Sequence, residues 1–252
     1  MENLFIIIPA RLKSTRLPNK VLEKINGKSL VENVWQGLKK FPNVFIATDS
    51  EEIVKEVTKF NAKVILTNQN HNNGTERCAE VVEKLKLNDN DIVINVQCDE
   101  LNINPDWIID IYAELSNSKK EIITTVVTKI SDQTSEFWNN YSHDPSNVQV
   151  LLDSNNIAKN FKRATKNILK NMKTSENLFT NHHLGIYGYR KKTLSKISKL
   201  NTTKREKEEK LEQLRWLEHG VKIKCINTKK MHFGYSINTK EDLERLKNQN
   251  IL

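Results

Sequence analysis

The sequence predicts an α/β fold with a mostly parallel sheet, helices on both faces of the sheet and an inserted C-terminal lobe. In the first half of the 252 residues, short apolar runs alternate with segments of helical periodicity, which is the pattern of successive βαβ units. The second half is less regular, and this irregularity indicates the lobe. No linker rich in Pro, Gly or Ser and no repeat interrupts the chain, so we predict a single domain over residues 1–252.

The elements of the first half follow from periodicity and capping signals. Leu4–Ile8 is a continuous apolar run, as expected for a strand that is buried on both faces. Ser29–Lys40 has apolar residues at helical spacing. Ser50 can cap a helix over Glu51–Phe60, because acidic residues fill the first turn of that segment. The alternation of strands and helices continues through 43–47, 63–66, 76–85, 91–96, 105–115 and 122–128.

The second half contains four predicted strands and two predicted helices. The strands are 148–152, 157–161, 183–190 and 221–226. Arg205–His219 has the pattern of a charged amphipathic helix, and Lys240–Lys247 is predicted as a closing helix capped by Thr239. The polar stretch Lys166–Asn181 has no clear period, so we expect a mobile loop there.

The composition excludes several classes of protein. Hydrophobic residues make up 37% and charged residues 28% of the chain, with a mean hydropathy of −0.60, as in a globular protein in water. No apolar run approaches the roughly 20 residues of a membrane span, and the N-terminus lacks signal-peptide features. We therefore expect a cytoplasmic protein with no membrane partner. Cys78, Cys98 and Cys225 have no CxxC spacing, which argues against a disulfide framework or a zinc site.

The net charge of +9 is unevenly distributed along the chain. Residues 1–157 contain 17 basic and 22 acidic side chains, whereas residues 158–252 contain 23 and 9. The basic C-terminal part could bind nucleic acid, steer a polyanionic small molecule, or be a solvated lysine-rich surface. The sequence contains no nucleic-acid-binding motif, so we expect no nucleic-acid partner.

The loop after the first predicted strand is rich in cations. From Arg11 to Lys20 it has four basic side chains and two hydroxyls, which suit a triphosphate because arginine and lysine bind phosphate oxygens. In an open parallel sheet, ligands bind beyond the carboxyl ends of the strands, where this loop begins. The segment 27–29 resembles the end of a P-loop, but Leu22 stands where that motif requires glycine. We therefore reject a P-loop.

Two further strand ends have residues that suit a nucleotide site. Thr75 can cap the helix after the third strand, and Gly74 lets backbone amides approach a ligand. Asp99 follows a buried strand, where an acid is costly unless a cation meets it. Mg²⁺ is the usual partner of such an acid where phosphates are bound, whereas an N-cap or an ion pair would be the alternative explanation.

Nine short motifs are spread in one order over nearly the whole chain. They are Ile8–Arg11 with Leu17–Lys20, Ala47–Asp49, Gly74–Arg77, Asn95–Glu100, Val150–Asp153, Lys162–Ala164, His183–Arg190, Leu211–Arg215 and Thr239–Glu244. Together these motifs resemble those of the CMP-Kdo synthetase family, the 3-deoxy-manno-octulosonate cytidylyltransferases.

The resemblance implies a Rossmann-like, GT-A-like nucleotidyltransferase fold in a homodimer. It implies transfer of CMP from CTP to a small acidic sugar such as Kdo, with release of pyrophosphate and with Mg²⁺ as cofactor, for lipopolysaccharide or capsule synthesis. Residues 1–130 would be the nucleotide-binding part, and residues 131–252 the part for acceptor binding and dimerisation.

The resemblance also implies roles for individual residues. Nucleotide-binding residues would be Ala10, Arg11, Ser14, Lys20, Thr75 and Arg77. Acceptor-binding residues would be Gln97, Arg163, His183, Tyr187, Glu212 and Gln213. Asp99 and Asn238 would hold the metal, and catalysis would depend on Asp99, Lys20 and Arg16, mainly by positioning the substrates and neutralising charge.

Three departures from the family pattern bear on the acceptor. The family has a second metal-binding aspartate where this chain has Asn238, and a glycine before the catalytic aspartate where it has Cys98. The segment after Arg163 reads Thr165–Ile168 without the family's Ile-Pro. These changes leave room for a different acceptor, such as a phosphate ester, and for a non-catalytic relative that binds nucleotide only. A nucleic-acid-binding module is the alternative from another class.

Overall fold

A nine-stranded mixed sheet forms the centre of the part of the chain that the structure describes. The structure is a computed structural model, which describes residues 1–12, 17–118, 120–130, 141, 144, 146–164, 181–228, 235–237 and 242–244. The strands of this sheet are β1 (Leu4–Ala10), β4 (Val44–Thr48), β5 (Lys63–Leu66), β6 (Ile92–Val96), β8 (Ile122–Lys129), β9 (Val148–Leu152), β10 (Ala158–Arg163), β11 (Asn181–Arg190) and β12 (Lys222–Asn227). Four two-residue strands lie outside it, namely β2 (Lys24–Ile25), β3 (Lys28–Ser29), β7 (Glu100–Leu101) and β13 (Tyr235–Ser236).

The first half of the chain forms the parallel part of the sheet. The order is β6-β1-β4-β5, and each neighbouring pair is parallel, with Ile6 opposite Val44 and Leu4 opposite Ile92. Successive residues of a strand point to opposite faces, and Ile6 and Ile7 are both fully buried, in different core clusters. A layer of core therefore covers each face of β1, which explains its continuous apolar run.

Helices supply these two layers. The helices are α1 (Leu30–Leu38), α2 (Glu51–Thr58), α3 (Gly74–Lys84), α4 (Pro105–Asn117), α5 (Lys191–Ile197), α6 (Lys204–Glu209) and α7 (Glu212–Glu218). Apolar side chains of α1, α2 and α4 pack in one cluster, and those of α3, α5 and α7 pack in the other. The predicted parallel α/β architecture with helices on both faces is confirmed.

The second half extends the sheet with antiparallel pairings. β11 is antiparallel to β6 and to β8, while β12 joins the far side of β8 in parallel. The hairpin β9–β10 pairs with β11 at its base, and its tip returns to β12, where Cys225 N–H donates to Asn156 O over 2.8 Å. These pairings form the lobe that the sequence predicts.

Side-chain caps begin most of the helices. Ser29, Ser50 and Asn73 each accept a backbone N–H three residues ahead, and Thr203 and Glu206 form a capping box at α6. The expectation that Thr75 caps α3 is wrong, because Asn73 is the cap and Thr75 lies in the first turn. Each such cap satisfies a backbone donor that the helix cannot bond internally. The helix predicted after Ser50 is thus confirmed together with its cap.

The prediction of one helix over Arg205–His219 is wrong. The structure has α6 and α7, separated at Lys210, which has a left-handed φ of 54°. Arg163 donates to the carbonyl oxygens of Glu209 and Lys210 at this break. The break is consequently stabilised by a residue about 46 positions away, and no Gly or Pro marks it in the sequence.

Three further predictions concern segment 27–29, the loop Lys166–Asn181 and the closing helix. Segment 27–29 belongs to a hairpin of β2 and β3, which turns at Asn26 (φ 51°) and Gly27 (φ 80°), and Ser29 caps α1. The rejection of a P-loop is confirmed by this geometry. Of the expected loop Lys166–Asn181 only Asn181 is described, where β11 begins. Of the closing helix, residues 242–244 are described and are helical.

No helix within the described ranges is long and apolar enough to cross a membrane.

Candidate active site

The site lies at the carboxyl ends of the parallel strands, where Lys20 meets Asp99. The Lys20 ammonium group is 2.6 Å from Asp99 Oδ2 and donates over 2.7 Å to the carbonyl oxygen of Ile237. The two side chains are 11% and 28% exposed, respectively. Asp99 O also accepts the N–H of Ile237. Three distant segments of the chain therefore converge on one buried cation.

Glu100, next to Asp99, is a second acid in this region, and no role was predicted for it from the sequence. Burial, and then the charge of Asp99, raise its pKa to about 7, while Lys20 and the Gly185 N–H lower it. A Cβ on Gly185 would lie 3.0 Å from Glu100 Oε1. The absence of a side chain at Gly185 thus allows this carboxyl to lie against β11. The sequence signal that could have identified Glu100 is its position directly after Asp99.

Cys98 belongs to the apolar core. Its side chain is 5% exposed and packs in the cluster that contains α1 and α4. Burial, and then the charge of Asp99, raise the pKa of its thiol. The residue that replaces the family's glycine therefore fills core volume as an unreactive thiol.

The first turn of α3 approaches the end of β1 closely. A Cβ on Gly74 would lie 3.1 Å from Pro9 Cγ and 3.3 Å from Gln97 Nε2. The buried Thr75 donates its hydroxyl to Glu212 Oε2 over 3.1 Å. Of the predicted site residues, the structure thus brings Gln97 next to the first turn of α3, and Thr75 into contact with Glu212.

Arg11 and Arg77 are both predicted to bind the nucleotide, but they have different surroundings. Arg11 is exposed and directly follows the buried Ala10, with a long hydrogen bond of 3.4 Å to Asn72 O. Arg77 is 3% exposed; its guanidinium group donates to Asp49 over 3.0 Å and to Thr67. Arg77 therefore connects the ends of β4 and β5, and its predicted contact with a nucleotide stays a prediction.

His183 and Tyr187 lie together in the aromatic core of the lobe. Their ring centroids are 5.3 Å apart, and the Tyr187 ring packs edge-on against Trp216 of α7. Burial lowers the pKa of His183 to about 3, to which the neighbouring His182 adds. Burial also raises the pKa of Tyr187. Both rings are therefore neutral at physiological pH.

Glu212 and Gln213 begin α7 and are partly or fully buried. Burial raises the pKa of Glu212 to about 7, whereas the nearby Arg215 and the hydrogen bond from Thr75 lower it. Gln213 is 5% exposed. Arg163, on β10, contacts the backbone between α6 and α7. The predicted acceptor residues therefore gather around α7 and β11, with Arg163 bound at the start of α7.

Three predicted site residues, Ser14, Arg16 and Asn238, lie outside the described residues. Asn238 directly follows Ile237 in the sequence. Their predicted roles stay predictions.

Comparisons with known proteins show the family to which the chain belongs. The model of the cytidylyltransferase family matches residues 5–223. A 3-deoxy-manno-octulosonate cytidylyltransferase from Francisella tularensis subsp. novicida is 40% identical, over 98% of each chain. The chain belongs to this family. A member from Fusobacterium nucleatum is 37% identical over 96% of this chain and 94% of its own. The resemblance seen in the motifs is confirmed, and the protein is an enzyme of the nucleotidyltransferase class.

Solved structures of the family and its fold relatives are similar as well. A CMP:2-keto-3-deoxy-manno-octonic acid synthetase complexed with CTP is 29% identical, with a TM-score of 0.81 and 97% of each chain covered. A glucose-1-phosphate thymidylyltransferase from Bacillus anthracis, described as putative, is 17% identical with a TM-score of 0.64, and covers 97% of this chain and 94% of its own. The second likeness concerns the fold alone. Both support the predicted nucleotidyltransferase fold.

Proposed function

We propose that the protein transfers CMP from CTP to 3-deoxy-manno-octulosonate, Kdo, with release of pyrophosphate. The names of its relatives and the CTP complex of a similar structure support these substrates. The observation that carries the proposal is the contact between Lys20 and Asp99 at the carboxyl ends of β1 and β6. This is the edge at which an open α/β sheet binds its ligands.

The chemistry is a substitution at the α-phosphorus of CTP. A hydroxyl oxygen of the acceptor forms a bond to that phosphorus, the bond to the β-phosphate oxygen breaks, and the hydroxyl proton passes to solvent. Negative charge develops on the leaving pyrophosphate. Lys20 is a nearly buried cation, and an ammonium group in such a site neutralises phosphate charge more strongly than one in water.

We propose Mg²⁺ as the cofactor, with Asp99 as the ligand from the described residues. Those residues contain no cluster of three His, Cys, Asp or Glu side chains that could hold a metal by themselves. Mg²⁺ commonly binds through one or two carboxylates together with substrate phosphates and water, so one carboxylate at this edge fits a metal that is shared with CTP. Asn238, which follows Ile237, would supply a neutral oxygen. When bound, the metal would neutralise phosphate charge.

Polar groups without a protein partner support an acceptor pocket between β11 and α7. The Tyr187 hydroxyl and the Gln213 amide make no hydrogen bond to another described residue, and neither is among the fully enclosed polar atoms that lack one. These groups can therefore bond to a molecule that enters from solvent, and a polyhydroxylated sugar acid could supply donors and acceptors for them.

We further propose a homodimer in which residues 131–252 contain the acceptor-binding and dimerisation part. The family resemblance supports this assembly, and light scattering after size exclusion measures it directly. The product would feed lipopolysaccharide or capsule synthesis.

The decisive experiment is release of pyrophosphate from CTP with Kdo and with phosphorylated sugars as acceptors, across a Mg²⁺ titration. We expect turnover with Kdo, and we expect Asp99→Asn to abolish it at any Mg²⁺ concentration. Asp89→Asn is the matched control, because Asp89 is 70% exposed and pairs with Lys191 on the surface.

Near-normal turnover of Asp99→Asn would show that Asp99 is not required for catalysis. Turnover only with a phosphorylated sugar would show that this sugar, and not Kdo, is the acceptor. No turnover with any acceptor would indicate a relative that binds nucleotide without catalysis.

A further inference from the structure

Thr125 lies at an irregularity of the sheet in which two carbonyl groups face one hydroxyl. The register between β8 and β11 shifts between Leu184 and Tyr187. At this shift, Thr125 Oγ1 is 2.7 Å from Ile186 O and 3.3 Å from Leu184 O. Both carbonyl oxygens can only accept hydrogen bonds, so the single hydroxyl hydrogen of Thr125 is directed toward them.

The same oxygen contacts the ring of His183. Thr125 Oγ1 is 3.0 Å from His183 Nε2. Because the hydroxyl hydrogen is already used, this contact needs a hydrogen on Nε2, and the oxygen of Thr125 accepts it. A neutral imidazole has one N–H, and the ring is neutral because burial lowers its pKa to about 3. Nδ1 is then the unprotonated nitrogen.

The Nδ1 edge of the ring is available for a ligand. Among the residues described, none hydrogen-bonds to Nδ1. The ring is held by Phe161, which packs edge-on at 5.3 Å, and by Tyr187. Its orientation is therefore restricted on several sides, while Nδ1 makes no hydrogen bond to any residue that the structure describes.

We propose that Thr125 is a positioning residue that holds His183 as the Nε2–H tautomer. His183 then offers Nδ1 as an acceptor to a hydroxyl of the sugar, rather than an N–H to its carboxylate. This inference rests on the proposed function, because it takes His183 to be part of the acceptor pocket. It predicts that an acceptor binds well only if it has a hydroxyl group that can donate a hydrogen bond to His183 Nδ1.

The first test is the ¹⁵N spectrum of histidine-labelled protein without substrates, in which protonated and unprotonated ring nitrogens are well separated. The His183 signals are assigned by their loss in His183→Gln. We expect a protonated Nε2 in the wild type and in Thr125→Ser, and a loss of this preference in Thr125→Val. A protonated Nδ1 in the wild type, or an unchanged tautomer in Thr125→Val, would overturn the proposal.

Thr124→Val is the matched control. Thr124 is the neighbouring residue on the same strand and equally buried, but its hydroxyl has no hydrogen-bond partner among the described residues. We expect the tautomer of His183 to be unchanged in this variant. A shift of the same size as in Thr125→Val would show that the effect comes from packing in β8, and would also overturn the proposal.

The second test is kinetic and uses Kdo together with its single-deoxy analogues. We expect Thr125→Val to raise the KM for Kdo about fivefold to tenfold, the size of one buried hydrogen bond, with the KM for CTP unchanged. For one deoxy analogue, the KM with the wild type should be raised by the same factor as the KM for Kdo with Thr125→Val. With Thr125→Val, the removal of that hydroxyl should raise the KM no further. If every deoxy analogue raises the KM by the same factor in the wild type and in Thr125→Val, Nδ1 accepts no sugar hydroxyl and the proposal fails. Absence of any turnover with Kdo would instead contradict the proposed function, while the spectrum would still report the tautomer.

Discussion

Lys20 connects parts of the site that are far apart in the sequence. Its ammonium group contacts the carboxylate of Asp99 and the backbone of Ile237, 79 and 217 positions away. Asp99 thus has a counter-ion from the protein itself, which is the ion pair that the sequence left open as an alternative to a metal. The side chain is nearly buried, so its charge is poorly screened by water and salt. Substitution at this position removes a strong local charge.

Lys20→Ala should lower kcat by a factor of about 100 to 1,000. The charge that develops on the leaving pyrophosphate loses its partner, and one such contact is worth roughly 3–4 kcal/mol in comparable sites. Steady-state kinetics of pyrophosphate release measure the change. Lys59→Ala is the control, because Lys59 is 70% exposed and its pair with Glu56 lies on the surface of α2. Equal rates in the two variants would exclude a catalytic role for Lys20.

The sequence predicts those site residues that follow strands, and misses those that depend on side-chain geometry. Asp99 and Lys20 were predictable because both lie beyond buried strands and bear opposite charges. The role of Thr125 was not, because it depends on a register shift and on a ring 58 positions away. The contact of Arg77 with Asp49 was also missed, since the family resemblance assigns Arg77 to the nucleotide and the sequence does not show its protein partner.

At the scale of elements, α6 and α7 are held together by a buried ion pair. Arg215 of α7 donates to Glu206 of α6 over 2.6 and 2.8 Å, and it also donates to Leu200 O. The two side chains are only 5% and 11% exposed. A buried charge that loses its partner is costly, because water does not replace the missing interaction.

Glu206→Gln should destabilise the protein by about 3 kcal/mol, the lower part of the range for breaking a buried pair. Glu208→Gln is the control, because Glu208 is 59% exposed and its nitrogen–oxygen distance to Lys204 is 3.8 Å. Its loss should cost less than about 1 kcal/mol. Urea denaturation of both variants measures the two free energies of unfolding. Equal values would mean that the pair in the interior contributes no more than the one on the surface.

The elements of the first half were more predictable than those of the second. Strands such as β1 and β6 are buried on both faces, so their sequences are continuous apolar runs. The break at Lys210 is different, because a lysine in the left-handed region has no sequence signal and its stabilisation comes from Arg163. The helix α5, which follows β11 without a loop, was also missed, since no separating turn marks its start.

At the scale of the whole molecule, buried ionisable groups make stability depend on pH in opposite directions. Burial raises the pKa values of Glu100 and Glu212 to about 7, and it lowers those of His182 and His183 to about 4 and 3. A raised carboxyl pKa favours the folded state at low pH, whereas a lowered histidine pKa favours it at high pH. As the pH rises from about 3 to 7, the two carboxyl groups therefore lower the stability of the folded state, and the two histidines raise it.

Glu212→Gln separates one of these contributions. The pKa of Glu212 rises from 4.5 to about 7 on folding, so its stabilising effect is complete below pH 4.5 and is lost as the pH rises through 7. Glutamine has no such dependence. From pH 4.5 to 8 the variant should therefore gain about 3 kcal/mol of stability relative to the wild type. Free energies of unfolding across this range test this, and parallel curves for the two proteins would contradict it.

The pairing of β8 has a consequence for synthesis on the ribosome. Both of its partner strands, β11 and β12, come later in the chain, and β11 begins about fifty residues after β8 ends. At roughly 5–20 residues per second, β8 waits several seconds for its first partner. During that time the run Ile122–Thr128, rich in β-branched residues, has unpaired edges of the kind that other chains can join. Translation speed over residues 130–190, together with chaperone supply, should therefore govern the yield of folded protein.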